Sequence, residues 1–156
     1  MSIGVTTPAE VRERRAGRVL LLDADDRVLL FRGCDPAVPD DKYWFTPGGG
    51  FDEGEEPRQA AARELFEETG LRLPETELGE PVHEDITEFS FDGRRYRQRQ
   101  WFYVARVASW EVDTAGFEPI ERTTMDEHHW WSLTELEATG ERYYPANLTR
   151  ILREVL

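Results

Sequence analysis

The sequence predicts an α/β fold built on a mixed sheet, and three observations carry that prediction. Short apolar runs bounded by Gly, Pro and Asp recur along the chain with the length of strands. A segment of helix formers, 57–69, has Pro57 where a first turn tolerates it and Gly70 where a left-handed residue closes a last turn. Near the end, Leu148, Ile151, Leu152 and Val155 form the i, i+3, i+4, i+7 stripe of an amphipathic helix. Strands with helices to pack on both sides make a layered α/β domain.

Taken in order, residues 1–14 are polar and read as a loose lead-in, with one helical turn over 8–14 as an option. Residues 16–22 form a strand, 24–26 a turn and 27–32 the hairpin partner. The run Val19-Leu20-Leu21-Leu22 is apolar throughout, as in a strand buried on both faces. Residues 33–42, with Pro36 and Pro39, read as a surface loop. A short strand at 43–46 leads into Pro47-Gly48-Gly49-Gly50, where missing side chains allow close backbone approach. Residues 72–80 connect to a hairpin of 82–91 and 94–107, closed by Asp92-Gly93. With a two-residue turn, Phe91 faces Arg94 and Glu88 faces Arg97. Arg95, Arg97, Arg99 and Trp101 then share one face, opposite Ser90, Glu88 and Ile86. Residues 108–125 read as a long loop or distorted strand, and 128–131 as a short strand. Ser132 and Glu135 have capping-box spacing, opening a helix through Ala138; Asn147 is placed to N-cap the last helix. No repeat, low-complexity tract or linker divides the chain, so 1–156 reads as one domain.

Composition narrows the function. Charged residues make up 33% and hydrophobic ones 39%, with 5 Trp and 8 Phe, which suits a globular domain rather than a disordered chain. The net charge of −13 argues against general binding to nucleic acid or anionic membranes. The N-terminus lacks the apolar run of a signal peptide and no stretch approaches membrane-spanning length, so a cytoplasmic location is expected. Cys34 is the single cysteine, which allows neither an internal disulfide nor a cysteine metal cluster. A homodimer is left open.

On the 57–69 helix, Glu64, Glu67 and Glu68 stand three and four residues apart and share one face. Ala61, Ala62, Leu65, Phe66 and Thr69 line the opposite face, suited to packing on a sheet. Like charges at that spacing destabilise a bare helix by about 0.2–0.5 kcal/mol per pair, and a hard divalent cation reverses the sign. The arginine row at 95, 97 and 99 is either a bidentate phosphate site or a solvated sheet face paired with acids. His128 and His129, adjacent on a strand, point to opposite faces, so a shared ligand role is not expected.

The spacing of Gly49, Glu55, Arg63-Glu64-Leu65, Glu67-Glu68 and Gly70-Leu71 across 49–71 resembles the Nudix hydrolase signature at every constrained position. The resemblance implies the Nudix αβα sandwich with a central mixed sheet. It implies Mg²⁺-dependent (or Mn²⁺-dependent) cleavage of a phosphoanhydride bond in a nucleoside diphosphate linked to another group. Glu64, Glu67 and Glu68 would then hold metal, joined by the carbonyl of Gly49, with Arg63 paired to Glu55 or Glu67 to orient the acids. Glu55 stays open between orienting Arg63 and touching the metal through water. For the general base, relatives use either a box glutamate, here Glu67, or a later loop acid. Glu118, Glu121, Asp126 and Glu127 are the loop candidates, and Glu127 is carried forward. Gly48, Gly49, Arg99 and Trp44 are the expected substrate contacts, with Tyr43, Phe51 and Trp101 as further aromatic platforms. A relative that binds nucleotide without hydrolysis is the alternative; such proteins usually lose box carboxylates, and all are present here. Neither Pro nor Tyr occurs at 85–89, so the ADP-ribose and dinucleoside polyphosphate subfamilies gain no support.

Overall fold

A computed structural model describes residues 10–156. The first element among the described residues is the long strand β1 (Val11–Leu22), which turns back through Asp26 (φ 58°) into β2 (Val28–Gly33). Two three-residue strands, β3 (Tyr43–Phe45) and β4 (Gly48–Gly50), precede the helix α1 (Pro57–Thr69). The hairpin β5 (His83–Phe91) and β6 (Arg94–Arg106) follows, then α2 (Pro119–Thr124), β7 (Met125–Trp131) and α3 (Leu133–Ala138). A two-residue strand β8 (Tyr143–Tyr144) and the helix α4 (Leu148–Val155) complete it.

The strands make one mixed sheet in the order β5-β6-β1-β2-β3-β8, with β4 paired to β1 and β7 to β2. β1 is its axis. It runs parallel to β6 from Val11↔Arg95 to Leu22↔Arg106, while on its other edge Ala16–Arg18 pair with the glycines of β4. Alternation along β1 divides the core. Leu20 and Leu22 pack with Trp44, Trp131, Leu136, Leu148, Ile151 and Leu152 beneath α3 and α4. Val19 and Leu21 pack with Phe31, Ala61, Leu65 and Tyr103 beneath α1. All four β1 residues are fully buried, and each such side chain contributes about 1.5–3 kcal/mol of transfer free energy. The result is a sheet with a helical layer on each side, an αβα sandwich. Among the described residues, no helix is long and apolar enough to cross a membrane.

Several expectations need correction. Residues 11–14 are strand, not a helical turn, because β6 supplies a parallel ladder for a polar sequence that propensity alone would leave loose; residues 1–9 lie outside those described. Gly48–Gly50, read only as a place of close backbone approach, is the strand β4. Within 108–125 lies the helix α2, opened by Glu118, whose N–H donates to Glu121 Oε1 at 2.9 Å, with Pro119 in the first turn. Asn147 gives α4 no side-chain cap. Phe66, expected against the sheet, is 40% exposed and lies under the Arg72 guanidinium, 4.4 Å from its ring centroid. The Asp92-Gly93 hairpin has the predicted register, with Phe91↔Arg94 and Glu88↔Arg97.

Candidate active site

α1 crosses β1 at glycine. A Cβ on Gly17 would lie 2.5 Å from the Pro57 carbonyl oxygen and 2.7 Å from the Ala61 nitrogen, so only a bare backbone admits the helix this close. That approach sets the carboxylates of α1 against β4. Glu68 is 1% exposed and its Oε2 accepts the Gly48 N–H at 3.2 Å. A Cβ on Gly49 would lie 2.7 Å from the Glu64 carboxyl carbon. Gly48 sits at φ 142°, a conformation that favours glycine.

Arg63 ties the acids together. Its Nε and Nη2 donate to the two Glu55 oxygens at 2.8 and 2.9 Å, and Nη2 also donates to the Gly50 carbonyl at 2.9 Å. Nη1 reaches Glu64 at 3.1 Å and Glu67 at 3.2 Å. The bidentate pair holds Glu55 below the usual carboxylate range, chiefly through the Arg63 hydrogen bond, and raises the guanidinium in turn. This contact is the geometry of the Arg63-orienting role, one of the two left open for Glu55. Arg63 supports the acids from behind, as such groups fix ligand geometry in metal sites.

A fifth acid arrives from elsewhere in the chain. Gly116 passes so near α1 that a Cβ there would lie 2.5 Å from the Glu67 carbonyl oxygen. Asp113 N–H and Trp110 Nε1 both donate to the Thr69 carbonyl, at 2.9 and 2.8 Å. This clasp carries the chain into α2 and sets Glu121 beside the box helix. Glu64, Glu68 and Glu121 each offer an oxygen, all within 4.8 Å of one another. Burial drives the Glu64 carboxyl up to about 7, with Glu67 and Glu121 adding to it against Arg63. Glu68 is pushed well up by burial, then by Glu64 and Glu121, and Glu121 is raised by burial as well. Three crowded carboxylates, largely withdrawn from water and with only Glu64 ion-paired to Arg63, form a donor set that suits a hard cation.

The other sequence candidates fall into two groups. Gly48, Gly49, Arg63, Glu64 and Glu68 lie together, and Glu67 stands beside them on Arg63. Glu127 does not join them: it extends from β7 to Arg32 at 3.3 Å, and its side chain is 50% exposed. Asp126, held low by its hydrogen bond from Arg32, is spent in the same pair. Arg99 turns to Glu84 on β5 at 2.6 Å and covers Trp101. Trp44 is 4% exposed and packs edge-on against Trp131 on the α4 side, so its ring offers no open face. Glu121 was one of four equivalent loop acids in the sequence. Glu127 rather than Glu121 was carried forward; the one local signal at Glu121 is its capping-box spacing from Glu118, with Pro119, which marks the start of α2.

Comparison with known proteins shows the family. Residues 12–151 match the NUDIX domain. The RNA pyrophosphohydrolase of Rhizobium meliloti (strain 1021) is 33% identical over 126 residues, covering 69% of this chain and 73% of that protein. That of Mesorhizobium japonicum is 38% identical over 87 residues, covering 47% of this chain and only 50% of that protein. Among solved structures, the MutT protein from Methanosarcina mazei Go1 superposes with a TM-score of 0.63 at 18% identity, covering 93% of this chain and 94% of that one, which shows a shared fold. The matched domain spans nearly the whole chain and contains the complete acidic box on its helix; this protein belongs to the Nudix hydrolase family.

Proposed function

We propose that this protein hydrolyses a phosphoanhydride bond in a nucleoside diphosphate derivative, with Mg²⁺ held by Glu64, Glu68 and Glu121 and supported by Glu67. The observation that carries this reading is the convergence of three carboxylate oxygens within 4.8 Å from two separate segments, at the foot of a side-chain-free strand. An all-oxygen donor set fits Mg²⁺ or Mn²⁺. When bound, the cation supplies charge neutralisation at the diphosphate. Glu64, Glu68 and Glu121 hold the ligand oxygens; Arg63 fixes Glu64 and Glu67 in orientation; the bare edge of Gly48–Gly50 lets a phosphate approach the carboxylates. Glu67, more exposed than Glu64 and held on one side by Arg63, takes the proton from the attacking water.

The experiment is incubation of the full chain with Mg²⁺ and a panel of nucleoside triphosphates, nucleotide sugars and a 5′-triphosphorylated oligoribonucleotide, scoring phosphate, pyrophosphate and monophosphate release. The oligonucleotide is included because relatives are named RNA pyrophosphohydrolases. Turnover that stops with EDTA and returns with Mg²⁺ supports the reading. A folded, Mg²⁺-saturated sample that turns over none of these refutes it, and nucleotide binding without turnover establishes the non-hydrolysing alternative.

A further inference from the structure

The sheet face away from α1 turns polar where β1, β5 and β6 run beyond the apolar core. Across the ladders Arg14 lies beside Gln98 and Ala16 beside Gln100, with Thr87 and Asp85 opposite the two glutamines. A chain of hydrogen bonds joins them. Gln100 Nε2 donates to Asp85 Oδ1 at 2.8 Å, and Gln98 Nε2 donates to Gln100 Oε1 at 3.1 Å. Arg18 Nε reaches the same Gln100 oxygen at 3.4 Å, and its Nη1 donates to the Thr46 carbonyl at 3.1 Å.

The direction of this chain is set at one end. A carboxylate only accepts, so Asp85 turns the Gln100 nitrogen towards itself and the Gln100 oxygen towards Gln98. Gln98 must answer with its nitrogen, which leaves its own oxygen over. That oxygen is buried and has no partner, in a residue 2% exposed. Thr46 Oγ1, in a residue 1% exposed, is also unpartnered. An orphaned buried group loses its hydration without compensation, and native structures keep few of them without a further reason. Arg18 spends its two hydrogen bonds on a carbonyl and an amide, so no carboxylate neutralises it through them. Exposed Arg14 packs its guanidinium against Gly50 and lies 6.0 Å from the Tyr96 ring centroid. Tyr96 in turn stacks on Phe89 at 5.4 Å. This face meets the acidic site across β4, whose Gly48 and Gly50 pair with Arg18 and Ala16.

We infer that Asp85, acting through Gln100, fixes Gln98 as a hydrogen-bond acceptor that selects substrates whose nucleobase brings an N–H donor. Arg18 donates to the acceptor atoms of the same base, and Tyr96 and Phe89 offer it an aromatic surface. The base reaches Gln98 by displacing the exposed side chain of Arg14. Asp85 is a positioning residue, since it touches Gln100 and not the base. The inference rests on the nucleotide-hydrolase reading and names a property of its substrate.

The test compares kcat/KM for the four common nucleoside triphosphates with that for the triphosphate of unsubstituted purine riboside, whose base has ring acceptors but no N–H. The unchanged protein should disfavour the unsubstituted purine by about tenfold or more against its best common nucleotide, as sites with a buried unpaired group do. Asp85→Asn lets the amide chain reverse, and the ratio should fall to within about threefold. Gln98→Met removes the acceptor outright and should give the same collapse, which keeps the test sharp if Asp85→Asn folds poorly. Equal handling of the unsubstituted purine by the unchanged protein, or an undiminished ratio in a folded variant, overturns the inference while leaving the hydrolase reading intact. If no nucleotide is hydrolysed, that reading fails instead. Calorimetric binding of the matching monophosphates to the same proteins then decides the inference by the same ratio.

Discussion

Gly49 and Glu64 meet with nothing between them: the place a Cβ would occupy on Gly49 lies 2.7 Å from the Glu64 carboxyl carbon. Gly49→Ala should therefore push Glu64 aside while α1 and the sheet stay in place, since the displaced group is the end of a flexible side chain. The expected outcome is a tenfold or larger fall in kcat with weaker Mg²⁺ binding and little change in melting temperature, read by kinetics and metal titration. Unchanged metal affinity would contradict this geometry.

Arg63→Lys keeps the charge but loses the planar fork that serves Glu55 and the Gly50 carbonyl together. Glu55 is left partly buried without its bidentate partner. A loss of about 2–4 kcal/mol in urea denaturation is expected, alongside a kcat reduced at least tenfold.

Glu121 and Glu127 divide two roles that sequence could not separate. Glu121→Gln should lower kcat by about a hundredfold, in line with loss of a charged group aimed at the reacting centre. Glu127→Gln, which removes only a half-exposed partner of Arg32, should stay within about twofold. Glu67→Gln should abolish most turnover and leave the fold intact. Circular dichroism beside the kinetics checks all three.

The stability of the metal-free protein should fall as pH rises from about 4.5 towards 7. Glu64 titrates near 7 when folded, above its ordinary 4.5, so between those values the folded chain holds a proton that the unfolded chain has released. The raised Glu68 and Glu121 act in the same direction. In EDTA the melting temperature should be higher at pH 5 than at pH 8. Mg²⁺ should narrow the gap by stabilising the ionised site. A metal-free melting temperature that climbs with pH across this window would refute the crowding.

Local signals were enough for α1: Pro57 and Gly70 mark its ends, and the box acids are within one turn of each other. The Asp92-Gly93 turn gave the β5–β6 register for the same reason. What was illegible depended on partners distant in sequence. Charged residues 11–14 become strand because β6 lies alongside, more than eighty positions later. Gly48–Gly50 has poor strand propensity and pairs because β1 and the α1 acids leave room for nothing larger. Glu121 is placed by Gly116 and by two hydrogen bonds onto Thr69. Trp44 looked like a ligand platform by residue type, and only the packing of α4 shows it to be core.

Because Glu121 reaches the box helix on a clasp rather than from the helix itself, the segment from Trp110 to Glu121 feels the charge state of the cluster. Mutual repulsion in EDTA should bias that clasp outward, and a bound cation should draw it shut. Amide exchange at Asp113 and protease nicking around Gly116 thus become a gauge of ion occupancy, readable in a protein that has been given no substrate.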